Sequence, residues 1–82
     1  MFTVYIIQSK QGHVYIGQTN NLERRLKEHR EGFSKWTKRG TEWKLLYKEE
    51  FLDRTSAMRR ERYFKTGAGW RWIQERFKNI GS

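Results

Sequence analysis

Residues 4–7 read V-Y-I-I and residues 14–17 read V-Y-I-G, so the same phrase occurs twice with a tyrosine between aliphatic residues. From Phe2 to Ile7, Val4 and Ile6 alternate with Thr3, Tyr5 and Ile7, and Val14–Gly17 continues the pattern. Such a period of two belongs to β-strands. Ser9-Lys10-Gln11-Gly12 lies between the phrases and supplies turn chemistry, with Gly12 suited to a positive φ. The two phrases therefore read as one hairpin. Pairing Tyr5 with Tyr15 sets Val4 against Ile16 and Ile6 against Val14, which makes one face aliphatic. The other face then carries the two tyrosines side by side, with His13 and Gly17 near them. Paired aromatics are ordinary strand packing, so spacing alone does not make this a site.

Outward from the hairpin, Asn20-Asn21 can cap a helix over Leu22–Arg30 that Gly32 closes. A basic stretch without periodicity follows, then a strand over Trp43–Phe51. Asp53 or Thr55 can cap a second helix reaching Lys65, and Gly67-Ala68-Gly69 reads as its stop. A last helix is expected from Trp70 to about Asn79, with Trp70 and Trp72 on different sides. The order ββαβαα predicts an α+β fold, a small three-stranded antiparallel sheet with helices packed on it. We expect one domain over residues 1–82.

Composition narrows the function. Eighteen Lys+Arg face nine Asp+Glu, a net charge of +9, so a polyanion is the natural partner and nucleic acid the leading candidate. Cysteine is absent, which excludes disulfides and thiolate metal sites and suits a reducing cytoplasm. No apolar run reaches the ~18–20 residues of a membrane span. Lys35, Trp36, Lys38 and Arg39 mix cations with an aromatic, which suits a loop that follows a nucleic-acid backbone and stacks a base. An exposed loop anchored by Trp36 explains the same residues.

Helical spacing sharpens the polar candidates. Leu22, Leu26 and His29 share one face of the first helix with Arg25 at its edge, whereas Arg24, Lys27 and Glu28 point away. On the second helix Ala57, Glu61 and Phe64 share a face, so a carboxylate interrupts an apolar stripe. An unpaired carboxylate there is costly. A salt bridge to Arg25, Arg60 or Lys65 answers it; so does a divalent ion that needs few protein ligands.

Taken together, these residues resemble the GIY-YIG nuclease superfamily, in its short stand-alone bacterial branch. Thr3-Val4-Tyr5 stands at the first motif, with Thr3 in place of its glycine, and Tyr15-Ile16-Gly17 is the second motif intact. Residues 18–29 resemble the family's arginine helix with Arg25 at the arginine position, and residues 56–61 the helix that delivers its metal-binding glutamate. The resemblance implies a divalent-metal-dependent endonuclease, using Mg²⁺ or Mn²⁺ on Glu61 and hydrolysing phosphodiesters by in-line water attack. DNA is the expected substrate ahead of RNA, and a protein partner is one source of specificity. It also implies that Tyr5 serves the attacking water as base or orienter, with Tyr15 and His29 tuning or relaying the proton and Arg25 favouring the phenolate. The alternative is a nucleic-acid-binding module that keeps the fold without turnover. A protein-interaction scaffold is the third reading.

Overall fold

The computed structural model describes residues 1–31 and 40–77. Strands β1 (Phe2–Gln8), β2 (Val14–Thr19) and β3 (Lys44–Phe51) form an antiparallel sheet in the order β2-β1-β3. Helices α1 (Leu22–Arg30), α2 (Arg54–Phe64) and α3 (Gly67–Arg76) complete the expected ββαβαα order.

Local chemistry explains the helix starts. Asn21 accepts the Arg24 amide at 3.1 Å and caps α1, and Asp53 accepts the Ser56 amide at 2.8 Å and caps α2. The expected glycine stop is corrected at α3. Thr66 accepts the Gly69 amide at 3.2 Å, so residues 67–69 are the first turn of α3 rather than a break before it. Gly69 is needed there because a Cβ would lie 1.9 Å from the Tyr63 carbonyl oxygen. The helix ends at Arg76, short of the expected Asn79, and Gly32 lies outside the described residues.

Both sheet faces are covered. Val4, Ile6 and Ile16 point to α2 and α3 and pack with Ala57, Phe64 and Ile73 in one core. Trp70 and Trp72 are both half-buried against that core, not divided between core and surface. Tyr5 and Ile7 point the other way and pack with Trp43, Tyr15, Leu22 and Leu26 under α1. The tyrosine face is thus a second core as well as a candidate site.

The hairpin register differs from expectation by two residues. Tyr5 pairs with Gly17, Ile6 with Ile16 and Ile7 with Tyr15. The turn explains the difference: the Ser9 N–H donates to the His13 carbonyl oxygen at 2.9 Å across it, and Gly12 takes φ 92° within it. A Tyr5–Tyr15 pairing would centre the turn on Lys10 and draw Gly12 into the strand. Because the slip is even, every side chain keeps its face.

Candidate active site

The register places Tyr5 and Tyr15 diagonally, with ring centroids 6.1 Å apart. The position opposite Tyr5 is Gly17, and the reason for glycine is steric. A Cβ there would lie 2.7 Å from the Tyr5 hydroxyl oxygen and 2.9 Å from both Tyr5 Cζ and Tyr15 Cε1. The absent side chain is the space that both phenols use. Thr3, which replaces the first-motif glycine, is a buried strand residue paired with the buried Thr19. A β-branched residue suits that position, and it leaves the Tyr5–Gly17 packing intact.

From above the sheet, α1 lowers His29 onto the phenols. His29 is 1% exposed, its Nε2 is 2.8 Å from the Tyr5 hydroxyl, and its ring centroid is 4.7 Å from that of Tyr15. Burial, reinforced by the charge of Arg25, lowers the His29 pKa to about 4, so the imidazole is neutral at pH 7. Arg25 lies one turn earlier at the half-buried edge of α1, where Glu28 meets its Nη1 at 3.5 Å. Burial works against its charge, but hydrogen bonds to Tyr5 and Tyr15 hold its pKa above the ordinary arginine value.

Tyr5 itself is a neutral phenol. Burial pushes its pKa above the usual tyrosine value, Tyr15 adds to the rise, and the opposing pull of Arg25 is smaller. The phenolate expected at this position is therefore not the resting form. Of the two roles foreseen for Tyr5, base and orienter, this environment favours the orienter.

The other face contributes Glu61, which is not buried in the stripe as its spacing suggested. Ala57 and Phe64 are fully buried, but the Glu61 side chain is 23% exposed and its Oε2 accepts from Lys65 Nζ at 2.8 Å. Of the three cations considered as partners, Lys65 is the one found. Arg60 instead clamps Glu49 at 2.9 and 3.1 Å, and Arg25 stays on the opposite side of the sheet with the phenols.

One residue linked to each set, Tyr15 and Lys65, meets the other at the edge strand β2. A cavity of about 350 Å³ is lined by Val14, Tyr15, Ile16 and Lys65. The lining takes Tyr15 from the α1 face of this edge strand and Val14 and Ile16 from its α2 face. In a central strand the sheet would separate these residues. Sequence reasoning placed Tyr5, Tyr15, Gly17, Arg25 and His29 together correctly, and named Lys65 only as a possible ion-pair partner. Its cavity position follows from the end of α2 meeting the β2 edge. Glu61 and Lys65 at i,i+4 were the available signal. Lys35, Trp36, Lys38 and Arg39 lie outside the described residues.

Residues 1–69 match the model of the GIY-YIG catalytic domain. The chain belongs to the GIY-YIG family. Its GIY-YIG relatives include a UPF0213 protein of Bacillus licheniformis, 42% identical over 62 residues that make up 74% of this chain and 64% of that protein. A UPF0213 protein of Clostridium perfringens is 43% identical over 63 residues, 76% of this chain and 68% of the relative. The solution NMR structure of a UPF0213 protein from Bacillus halodurans superimposes with a TM-score of 0.57 at 30% identity, covering 99% of this chain and 88% of that one. This GIY-YIG chain thus has the small α+β fold expected from its sequence. Among the described residues no helix is long and apolar enough to cross a membrane.

The donor set can be tested against a metal. Among the described residues no group of three or more His, Cys, Asp and Glu side chains forms a ligand cluster. Glu61 is a single hard carboxylate, partly exposed and joined through Lys65 to the cavity wall. That chemistry fits an ion such as Mg²⁺ or Mn²⁺ that keeps most of its waters, and it does not fit a zinc site built on nitrogen and sulfur.

Proposed function

We propose that the protein is a divalent-metal-dependent endonuclease that hydrolyses phosphodiester bonds of nucleic acid, DNA ahead of RNA. One observation carries the reading: Tyr15, packed with Tyr5, Arg25 and His29, and Lys65, paired with Glu61, line one cavity at the edge strand. A net charge of +9 supports a polyanionic substrate.

In this reading the scissile phosphate lies in the cavity beside Tyr15. Glu61 would hold the divalent ion, which when bound stabilises negative charge on phosphate and leaving oxygens. The attacking water meets Tyr15 first, since Tyr5 is 1% exposed and stands behind it. Tyr5 fixes that arrangement as a neutral hydrogen-bonding group, held by His29 and Arg25. With Nε2 unprotonated, His29 accepts a hydrogen bond from the Tyr5 hydroxyl and leaves the phenol oxygen's lone pairs for Arg25 and Tyr15. Arg25 opposes charge that develops on the phosphoryl group; removing such a group typically slows reaction by ~10²–10³.

The test is a cleavage panel of duplex, flap, branched and single-stranded DNA and RNA, with Mg²⁺ or Mn²⁺. Cleavage should disappear in Tyr5→Phe, Arg25→Ala and Glu61→Ala proteins that keep the native circular dichroism spectrum. No cleavage of any substrate with either metal refutes the reading. Salt-sensitive binding indifferent to Mg²⁺ and to Glu61→Ala would identify a binding module instead.

A further inference from the structure

Lys65 has no part in the roles assigned above, yet it is paired with Glu61 and lines the same cavity as Tyr15. Its Nζ lies 2.8 Å from Glu61 Oε2, and its side chain lines the cavity with Tyr15. The lysine side chain is 53% exposed and the glutamate side chain 23%, so the carboxylate is the more enclosed partner and the ammonium the one free to turn towards solvent. We propose that Lys65 is a displaceable counter-ion: it holds the Glu61 carboxylate until a divalent cation replaces it, and the released ammonium then faces the cavity.

The energetics allow such an exchange. An i,i+4 glutamate–lysine pair on a helix surface is weak, so it orders the carboxylate without sealing it. A lysine ammonium is a point charge on a flexible stem and can turn away without disturbing α2. The dication must therefore compete with a single charge that lies against the same oxygen. Once displaced, that charge remains at the cavity that Tyr15 also lines, where a phosphate oxygen can receive it. Lys65 thereby acts as a positioning residue for Glu61 in the metal-free chain and as an added cation for the anionic ligand.

The inference rests on Glu61 as the metal ligand of the proposed nuclease, but its test does not require cleavage. Mn²⁺ binding to the intact chain is measured by electron paramagnetic resonance at low salt, with Glu61→Gln marking the sites unrelated to this carboxylate. The ion pair alone corresponds to about a twofold effect, and removing a cation so close to the incoming ion extends this to about fivefold. Lys65→Met should therefore bind Mn²⁺ about two- to fivefold more tightly than the native protein, and Lys65→Arg should not. Lys65→Gln repeats the test should the methionine variant fail to fold. Mn²⁺ affinity unchanged or weakened in both neutral variants overturns the proposal. Cleavage with unchanged affinity defeats this inference and leaves the nuclease reading standing; tightened affinity without any cleavage does the reverse.

Discussion

Replacing Gly17 by alanine tests whether the second-motif glycine exists to seat the two phenols. The added Cβ would stand 2.7 Å from the Tyr5 hydroxyl oxygen and 2.9 Å from Tyr5 Cζ and Tyr15 Cε1. Ordinary carbon contacts begin near 3.5 Å, so the Tyr5 ring must retreat by roughly 0.6–0.8 Å. It cannot do so freely, because Tyr5 is 1% exposed and packs with Ile7 and Trp43. Overpacking of this kind typically costs about 1–3 kcal/mol. Alanine recovers about 0.5–1 kcal/mol of backbone entropy in a strand, leaving a net loss of up to about 2.5 kcal/mol. For a domain of this size that lowers Tm by up to roughly 20 °C.

Two readouts are needed, because a loss of stability alone does not locate the strain. Thermal unfolding gives the Tm change. The ring resonances of Tyr5 and His29 report the second effect, since moving the phenol disrupts its 2.8 Å contact with His29 Nε2. If the protein cleaves nucleic acid, a shift of this size at the site also lowers kcat, by up to ~10²-fold for a 1 Å displacement. A Gly17→Ala protein with native Tm and unmoved Tyr5 and His29 resonances would refute the steric argument.

Two further predictions follow from the same packing. His29 has a folded pKa of about 4, below the ~6.5 of an unfolded histidine, so the unfolded state binds the extra proton between those values. Stability from this residue is complete above pH 6.5 and falls as pH drops towards 4, by up to about 3 kcal/mol; thermal melts at several pH values should show that loss in the native protein and a smaller one in His29→Gln. At the α2–α3 junction, Gly69→Ala should lower Tm by roughly 5 °C or more, because its Cβ would collide with backbone at 1.9 Å. Gly67→Ala meets nothing within 4 Å and should melt at or above the native temperature, so equal effects at both glycines would contradict the described junction.

What the sequence could reveal follows from the range of the forces involved. Asn21 and Asp53 cap their helices through amides three residues away, so their roles are legible locally. The faces of Tyr5, Tyr15 and Ile16 are legible because strand side chains alternate. The register was not, since a slip of two preserves every face and only the turn around Gln11 and Gly12 sets it. Gly67 and Gly69 resemble a helix stop until Thr66 is seen to cap the next helix and Tyr63 to press against Gly69. The site shows the same division. Arg25 and His29 share a stripe that spacing alone reveals, whereas the choice of Lys65 over Arg60 for Glu61 depends on Glu49 of β3 claiming Arg60.

The edge position of β2 also bears on how such a small protein keeps its site open. The sheet order β2-β1-β3 leaves two outer strands. β3 carries Lys44, Lys48, Glu49 and Glu50, charges that deter pairing with another chain. β2 reads VYIGQT and carries none. Among the described residues no further strand pairs with its outer edge. A charge-free, aromatic edge is a liability unless the exposed edge is used. Charging β2 would place a carboxylate or ammonium among Tyr15, Gly17 and the cavity wall, where the packing of the phenols leaves no room. Protection must then come from beside the strand. Arg25 on one face and Lys65 on the other set a cation on either side of it. Arg25 faces Glu28 and Lys65 faces Glu61, so a phosphate approaching this edge would compete with those carboxylates for the two cations.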